Sequence, residues 1–291
     1  MPSFFMEGES SEFYFRIRHE PELVEIKNRL EALYRDYASH ADTNFVSDAR
    51  NHLHQRYWEM LSCVALLKKG FNIEKHGDAG LEFSSMAAGT KIWFEAICAT
   101  PGKESSPGYF TTIVADLYDE HGEGPLAQEF KEDDFLTRIT AALQGKYKKI
   151  TGKDAAIIGE TSAVVILLNS AEAFNNWMPR ADDQNGVPLF AKALFPIGRA
   201  AAPVMMPGEP QAPMINVYRD TLRNHNNSPI NTNYFQQPGA ERISAVIHSM
   251  LRVQDNPYPL GSDFVIALNP SAKVPLPTSA FEWCKPFSPP Y

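Results

Sequence analysis

One stretch constrains the fold of this chain more than any other. Lys91-Ile92-Trp93-Phe94-Glu95-Ala96-Ile97-Cys98-Ala99 is dominated by β-branched and aromatic residues, which predicts a strand. Ile92, Phe94, Ala96 and Cys98 share one face, and Lys91, Trp93, Glu95 and Ile97 share the other. Both faces are mostly apolar, as expected of a central strand covered on each side. Just before it, Gly80-Leu81-Glu82-Phe83 predicts a neighbouring strand, with a turn at Ala88-Gly89-Thr90 between the two. Each strand therefore carries one carboxylate, Glu82 or Glu95, in apolar company. A buried carboxylate without a partner is costly and tends to take up a proton, and two on adjoining strands repel. A divalent cation between them relieves both problems, because Mg²⁺ and Mn²⁺ prefer carboxylate oxygens. The competing reading makes both residues edge-strand glutamates facing water.

The flanking segments define the setting. Pro21 opens a helix whose apolar residues Leu23, Ile26, Leu30 and Leu33 recur at helical spacing to about Tyr37. A second helix is predicted over residues 47–69, stopped by Gly70, with Leu53, Tyr57, Met60, Leu61, Val64 and Leu67 inward. Glu59 lies at the border of that stripe with Arg56 one turn earlier, as a solvated ion pair would. Residues 71–75 predict a short strand, and residues 101–124 an irregular loop. Asp133 and Asp134 cap a helix to Ile150 with Phe135, Ile139, Leu143, Tyr147 and Ile150 inward and Arg138 and Lys146 on its flanks. Ser162-Ala-Val-Val-Ile-Leu-Leu-Asn169 is a continuous aliphatic run, expected of a buried central strand.

Beyond residue 170 the chain turns rich in Pro, Gly, Asn and Met. Pro196, Pro203, Pro207, Pro210 and Pro213 break any long element. Residues 243–250 and 263–269 predict two further strands, followed by a proline-rich tail draped on the surface. The resulting division is a helical extension (1–46), an α/β core (47–170), and an insertion with C-terminal strands packed on the same domain (171–291). The fold class is α/β with a central mixed sheet.

Composition narrows the function. No apolar run approaches the ~20 residues that span a bilayer. The first residues lack the basic-then-apolar pattern of a signal peptide. Cys63, Cys98 and Cys284 are odd in number and widely spaced, which fits buried thiols in a reducing compartment and makes the cytoplasm the expected location. The net charge of −8 counts against a strong stand-alone DNA binder, although Lys146, Lys148, Lys149 and Lys153 form a local basic patch.

The order helix, three strands, helix, strand over residues 47–170 resembles the PD-(D/E)XK nuclease superfamily. Gly80-Leu81-Glu82-Phe83 matches its first motif, with Glu for Asp and Leu for Pro. Glu95-Ala96-Ile97 takes the E-x-K position, with Ile97 where lysine is expected. Glu59 matches the first-helix glutamate of part of the superfamily. Lys146 and Arg138 sit on the helix that in some members carries a relocated basic residue. The resemblance implies a three-layer sandwich with a restriction-endonuclease-like core α-β-β-β-α-β. It also implies Mg²⁺ (or Mn²⁺) held by Glu82, Glu95 and the Ala96 carbonyl, with Glu59 binding through a water or a second metal, and nucleic acid as the partner. Lys146 or Arg138 would then neutralise charge on the phosphate.

Two other readings stay open. One is a non-catalytic nuclease-like binding module, favoured by the missing lysine. The other is a cysteine hydrolase using Cys98, with His52, His54, His76 or His248 as a sequence-distant base. Tyr234, Phe235 and Trp177 are candidates for base stacking or for packing.

Overall fold

The computed structural model describes residues 3–76, 80–102, 132–173, 182–203, 213–256 and 259–290. In chain order these form helices α1 (Glu12–His19), α2 (Val24–Tyr37), α3 (Phe45–Ala49) and α4 (Leu53–Lys68) and strands β1 (Glu74–Lys75), β2 (Phe83–Ala87) and β3 (Thr90–Cys98). Helices α5 (Glu132–Thr151) and α6 (Ala155–Ile158) and strand β4 (Ala163–Asn169) follow. Then come α7 (Ala191–Leu194), β5 (Ile197–Ala201), β6 (Ile215–Tyr218), β7 (Thr221–Arg223) and β8 (Pro229–Asn231). The chain closes with β9 (Ala245–Ser249), β10 (Val265–Leu268) and β11 (Lys285–Phe287).

A seven-stranded mixed sheet organises the molecule, in the order β1-β2-β3-β4-β9-β10-β11. β1, β2 and β3 are antiparallel neighbours. β3, β4 and β9 run parallel, β10 returns antiparallel, and β11 lies parallel to β10. The β2–β3 hairpin turns on two residues with positive φ, Ala88 (48°) and Gly89 (78°). That conformation matches the twist of a two-residue hairpin, and glycine adopts it without steric cost.

Helices cover both faces. Ile92, Phe94 and Ala96 of β3 pack with Val165 and Leu167 of β4 against α4, α2 and α1. Trp93 and Ile97 pack with Val164, Ile166 and Leu168 against Phe135, Leu136, Ile139 and Leu143 of α5. The alternation expected of a central strand is therefore realised on both sides. α4 is buried nearly all round, and Trp58 Nε1 pins it to the sheet by donating to Leu167 O at 2.8 Å. Among the described residues no helix is long and apolar enough to cross a membrane.

Four expectations change. The strand read at Gly80-Leu81-Glu82-Phe83 is displaced to Phe83–Ala87, so Glu82 precedes it. The helix read over residues 47–69 is two helices, divided where His52 leaves helical geometry (φ −127°, ψ 43°). The strand read over residues 71–75 is only Glu74–Lys75. The C-terminal tail is not simply draped: it adds β11 to the sheet and buries Leu276, Phe281 and Cys284. Pro286 is accommodated because β11 is an edge strand, where no neighbour needs its missing N–H. The loop read over residues 101–124 lies almost wholly outside the described residues, as does Trp177.

Candidate functional site

β2 pairs with β3 only as far as Phe83 opposite Phe94. Beyond that point the edge of β3 is left with unpaired main-chain groups, which must find partners elsewhere. Two side chains supply them. Glu82, the residue before β2, accepts the Ala96 N–H at 2.5 Å. Gln55 of α4 donates to Ala96 O at 3.4 Å and accepts the Cys98 N–H at 3.0 Å. The parting of the strands is thus what turns Glu82 toward β3.

Glu95 lies on the α5 side of β3 and is fully buried. Its Oε1 accepts from Lys146 Nζ at 2.5 Å and from Lys149 Nζ at 3.1 Å. Lys146 Nζ is also 3.8 Å from Glu82 Oε1, so one ammonium bridges the two carboxylates. Lys149 continues the row to the buried Asp154, 3.7 Å away, whose Oδ2 accepts no hydrogen bond among the described residues. Lys146 and Lys149 stand one turn apart on α5, so both reach the same side of the sheet.

Charge in this cluster is imperfectly balanced. Burial, and then the charge of Glu95, push the Glu82 carboxyl well above the usual carboxylate range, against the opposing pull of Lys146 and of the Ala96 N–H. Burial works against the Lys146 ammonium, but Glu82 and Glu95 outweigh it and raise its pKa. The pair therefore favours additional positive charge, whether a proton on Glu82 or a cation between the carboxylates.

Glu59 and Arg138 are not drawn into this contact. Glu59 is buried rather than a solvated flank. Its Oε1 accepts from Tyr37 Oη at 2.6 Å and its Oε2 from Arg56 at 2.8 Å. Arg56 is shared with Asp48 and Asp42. Burial raises the Glu59 pKa against those two partners. Its charge is felt at Glu82 and Lys146, but both its oxygens are spoken for. Arg138 lies eight residues before Lys146 on α5, about 12 Å along the axis. Its guanidinium packs against Gly102, and among the described residues its Nε has no hydrogen-bond acceptor. Lys146, not Arg138, is the basic residue brought to the carboxylates.

The cysteine reading gains no geometric support. Burial, then Glu172 and Glu82, push the Cys98 thiol well above its usual range, which suppresses the thiolate. Among the described residues no imidazole hydrogen-bonds it. His54 Nε2 is paired with Asn169 Oδ1 at 3.0 Å, His76 with Ser84 at 2.6 Å and His248 with Ser170 at 2.7 Å. Tyr234 and Phe235 are buried in the second core, so they are not open to a base.

Sequence reasoning missed Gln55, Lys149 and Asp154. Lys149 was visible as part of the basic patch and by its spacing from Lys146. Nothing local marks Gln55 or Asp154. Among the described residues no group of three or more His, Cys, Asp or Glu side chains is arranged to hold a metal ion. The donor set on offer is two carboxylates and one carbonyl. Comparison of the chain with protein-family models, with curated proteins and with solved structures finds no match.

Proposed function

We propose that the protein is a divalent-metal-dependent nuclease of the PD-(D/E)XK-like type. In this reading the sheet and its two helical layers form a three-layer sandwich whose residues 47–170 make a restriction-endonuclease-like core. The observation that carries the proposal is the convergence of Glu82 and Glu95 on the single ammonium of Lys146. Two glutamates facing water would not share a cation, and side chains on opposite faces of the sheet could not.

The residues suit a hard cation by their chemistry. Glu82 and Glu95 offer carboxylate oxygens and Ala96 a carbonyl, the donors Mg²⁺ and Mn²⁺ prefer. Burial, and then the neighbouring Glu95, raise the Glu82 carboxyl above its usual range, and a cation here would offset part of that cost. When bound, such a cation supplies charge stabilisation at a phosphate and lowers the pKa of a water. The chain's own residues do the rest. Lys149 keeps Glu95 oriented while Lys146, about a quarter exposed, leaves the carboxylates to meet negative charge developing on the phosphodiester. Lys146 thereby takes the place of the lysine missing at Ile97. Gln55 holds the Ala96 peptide in line.

A non-catalytic binding module is the second reading, favoured by one observation: both lysines already neutralise Glu95. Cleavage assays decide between them. Labelled single-stranded and duplex oligonucleotides are incubated with Mg²⁺ or Mn²⁺ and with wild type, Glu95→Gln or Lys146→Ala protein. The nuclease reading expects metal-dependent cleavage by wild type that both variants lose. Binding of oligonucleotides without cleavage under any metal would establish the module instead.

A further inference from the structure

A cleft of ≈ 460 Å³ opens at the carboxyl ends of β3 and β4 and beside the start of α4. The carboxyl ends of parallel strands are where α/β sheets bind ligands. Its polar lining includes Asn51, His52, Thr100 and Gln254, all exposed, together with Phe13 of α1, which is 40% exposed. Gln55 and Cys98 also line it. Gln55 is the link to the carboxylates: its amide holds the carbonyl of Ala96, whose N–H is held by Glu82. Cleft and carboxylates are therefore joined through the Ala96 peptide, which Gln55 holds by its carbonyl and Glu82 by its N–H.

The chemistry of the lining selects a ligand class. The lining offers no unpaired positive charge to a phosphate, since Glu172 is acidic and Arg252 is paired with Asp255 at 2.8 Å. A cleft of this kind does not concentrate phosphate. Amides, a hydroxyl and an aromatic ring instead suit a flat, neutral ring with hydrogen-bonding edges. The volume fits a drug-sized group, not a base-paired duplex. The positive group for a phosphate is Lys146, on the α5 side.

Building on the nuclease reading, we infer that this cleft seats one unstacked nucleoside of the substrate, stacked on Phe13, beside the phosphate held at Lys146. The substrate is therefore single-stranded at that nucleotide, because a base within an intact helix does not reach such a cleft without being extruded.

The test measures fluorescence anisotropy of a labelled 12-mer single strand and of the same sequence as a hairpin duplex, in EDTA so that nothing is cleaved. Wild type is compared with Phe13→Ala, Phe13→Tyr and Gln254→Ala, each at an exposed position. The single strand is expected to bind at least tenfold tighter than the duplex. Phe13→Ala should lose about tenfold of that affinity, the scale of one stacked base, while Phe13→Tyr retains it. Equal binding of strand and duplex, or indifference of strand binding to Phe13→Ala and Gln254→Ala alike, would overturn the inference. These outcomes are separate from the nuclease reading. Strand preference lost on Phe13→Ala but without metal-dependent cleavage keeps the cleft and removes the chemistry, and cleavage without strand preference does the reverse.

Discussion

The two ends of α5 carry two ionic clusters built on opposite plans. At its start, Glu132 and Asp133 meet cations delivered by the Pro/Gly-rich segment. Lys192 Nζ lies 3.1 Å from Glu132 and 2.8 Å from Asp183, and Arg219 bonds Glu132 at 3.0 Å and Asp133 at 2.6 Å. Lys192 is fully buried, so its charge has nowhere else to go. At the far end the roles are reversed. The helix supplies Lys146 and Lys149, both partly exposed, and the buried partner is Glu95. Acids at the amino end and bases at the carboxyl end both suit the helix dipole. The difference lies in which partner is free to leave. The first cluster encloses its cation, whereas in the second the cations are the partly exposed partners lying over buried Glu95.

The carboxyl groups register the same contrast. Asp183 is held below its ordinary range because Lys192, the Val187 N–H and Asn216 together outweigh the cost of burial. Glu82 is driven well above its range because burial and Glu95 outweigh Lys146. One end is electrostatically satisfied and the other is not. An unsatisfied, partly accessible end is where a ligand gains most by binding.

Exchanging charges at the two ends should therefore do different things. The largest expected effect is Lys192→Met, which removes the buried ammonium shared by Glu132 and Asp183 and should cost about 3–5 kcal/mol, read as a lowered urea midpoint. Little loss would show that the amino-terminal cluster does not depend on its enclosed cation. Lys146→Ala should leave the unfolding free energy from urea titration within about 1 kcal/mol of wild type, because Lys149 stays on Glu95. It should lower the cleavage rate by about 10²–10³, the range for removing one group that stabilises transition-state charge. A fall in stability matching that of Lys192→Met would erase the distinction between the ends.

Two further effects depend on pH. His248 is buried against Phe190 and its pKa is pushed down from 6.5 to about 3 by burial. The unfolded chain then binds an extra proton between those values. Stability should fall as pH drops below about 6.5, by up to about 1.4 kcal/mol per pH unit, and level off near pH 3. His248→Gln should flatten that slope in acid-unfolding curves. At Glu82 the sign is opposite, because its raised pKa means that ionising it costs stability. Glu82→Gln should stabilise the metal-free protein at pH 7, with the gain fading as pH falls toward 4.5. Unchanged melting at both pH values would mean Glu82 is not strained by its neighbour.

Much of the sheet was legible in the sequence, because β3 and β4 are governed by local periodicity and the β2–β3 turn by Gly89. The helix break at His52 was not, since no Pro or Gly marks it. β11 was hidden by Pro286 and by its length of three residues. Of the site, Glu82, Glu95 and Lys146 stood out as charges in apolar or flanking positions. The partners that decide what each charge does are distant in the chain. Tyr37 reaches Glu59 across 22 residues, Lys146 reaches Glu95 across 51, and Lys192 reaches Glu132 across 60. Periodicity carries no information at that range. This is why Glu59 read as solvated when it is buried and paired, and why Lys192 drew no attention.

The claim at the centre of this account is that Glu82 and Glu95 grip one divalent cation. Isothermal titration of Mn²⁺ into wild type and Glu95→Gln addresses it directly, without reference to any substrate. A single saturable site in wild type, with affinity at least tenfold weaker in the variant, is the predicted result. Equal Mn²⁺ affinity in the two proteins, or none in wild type, would contradict it.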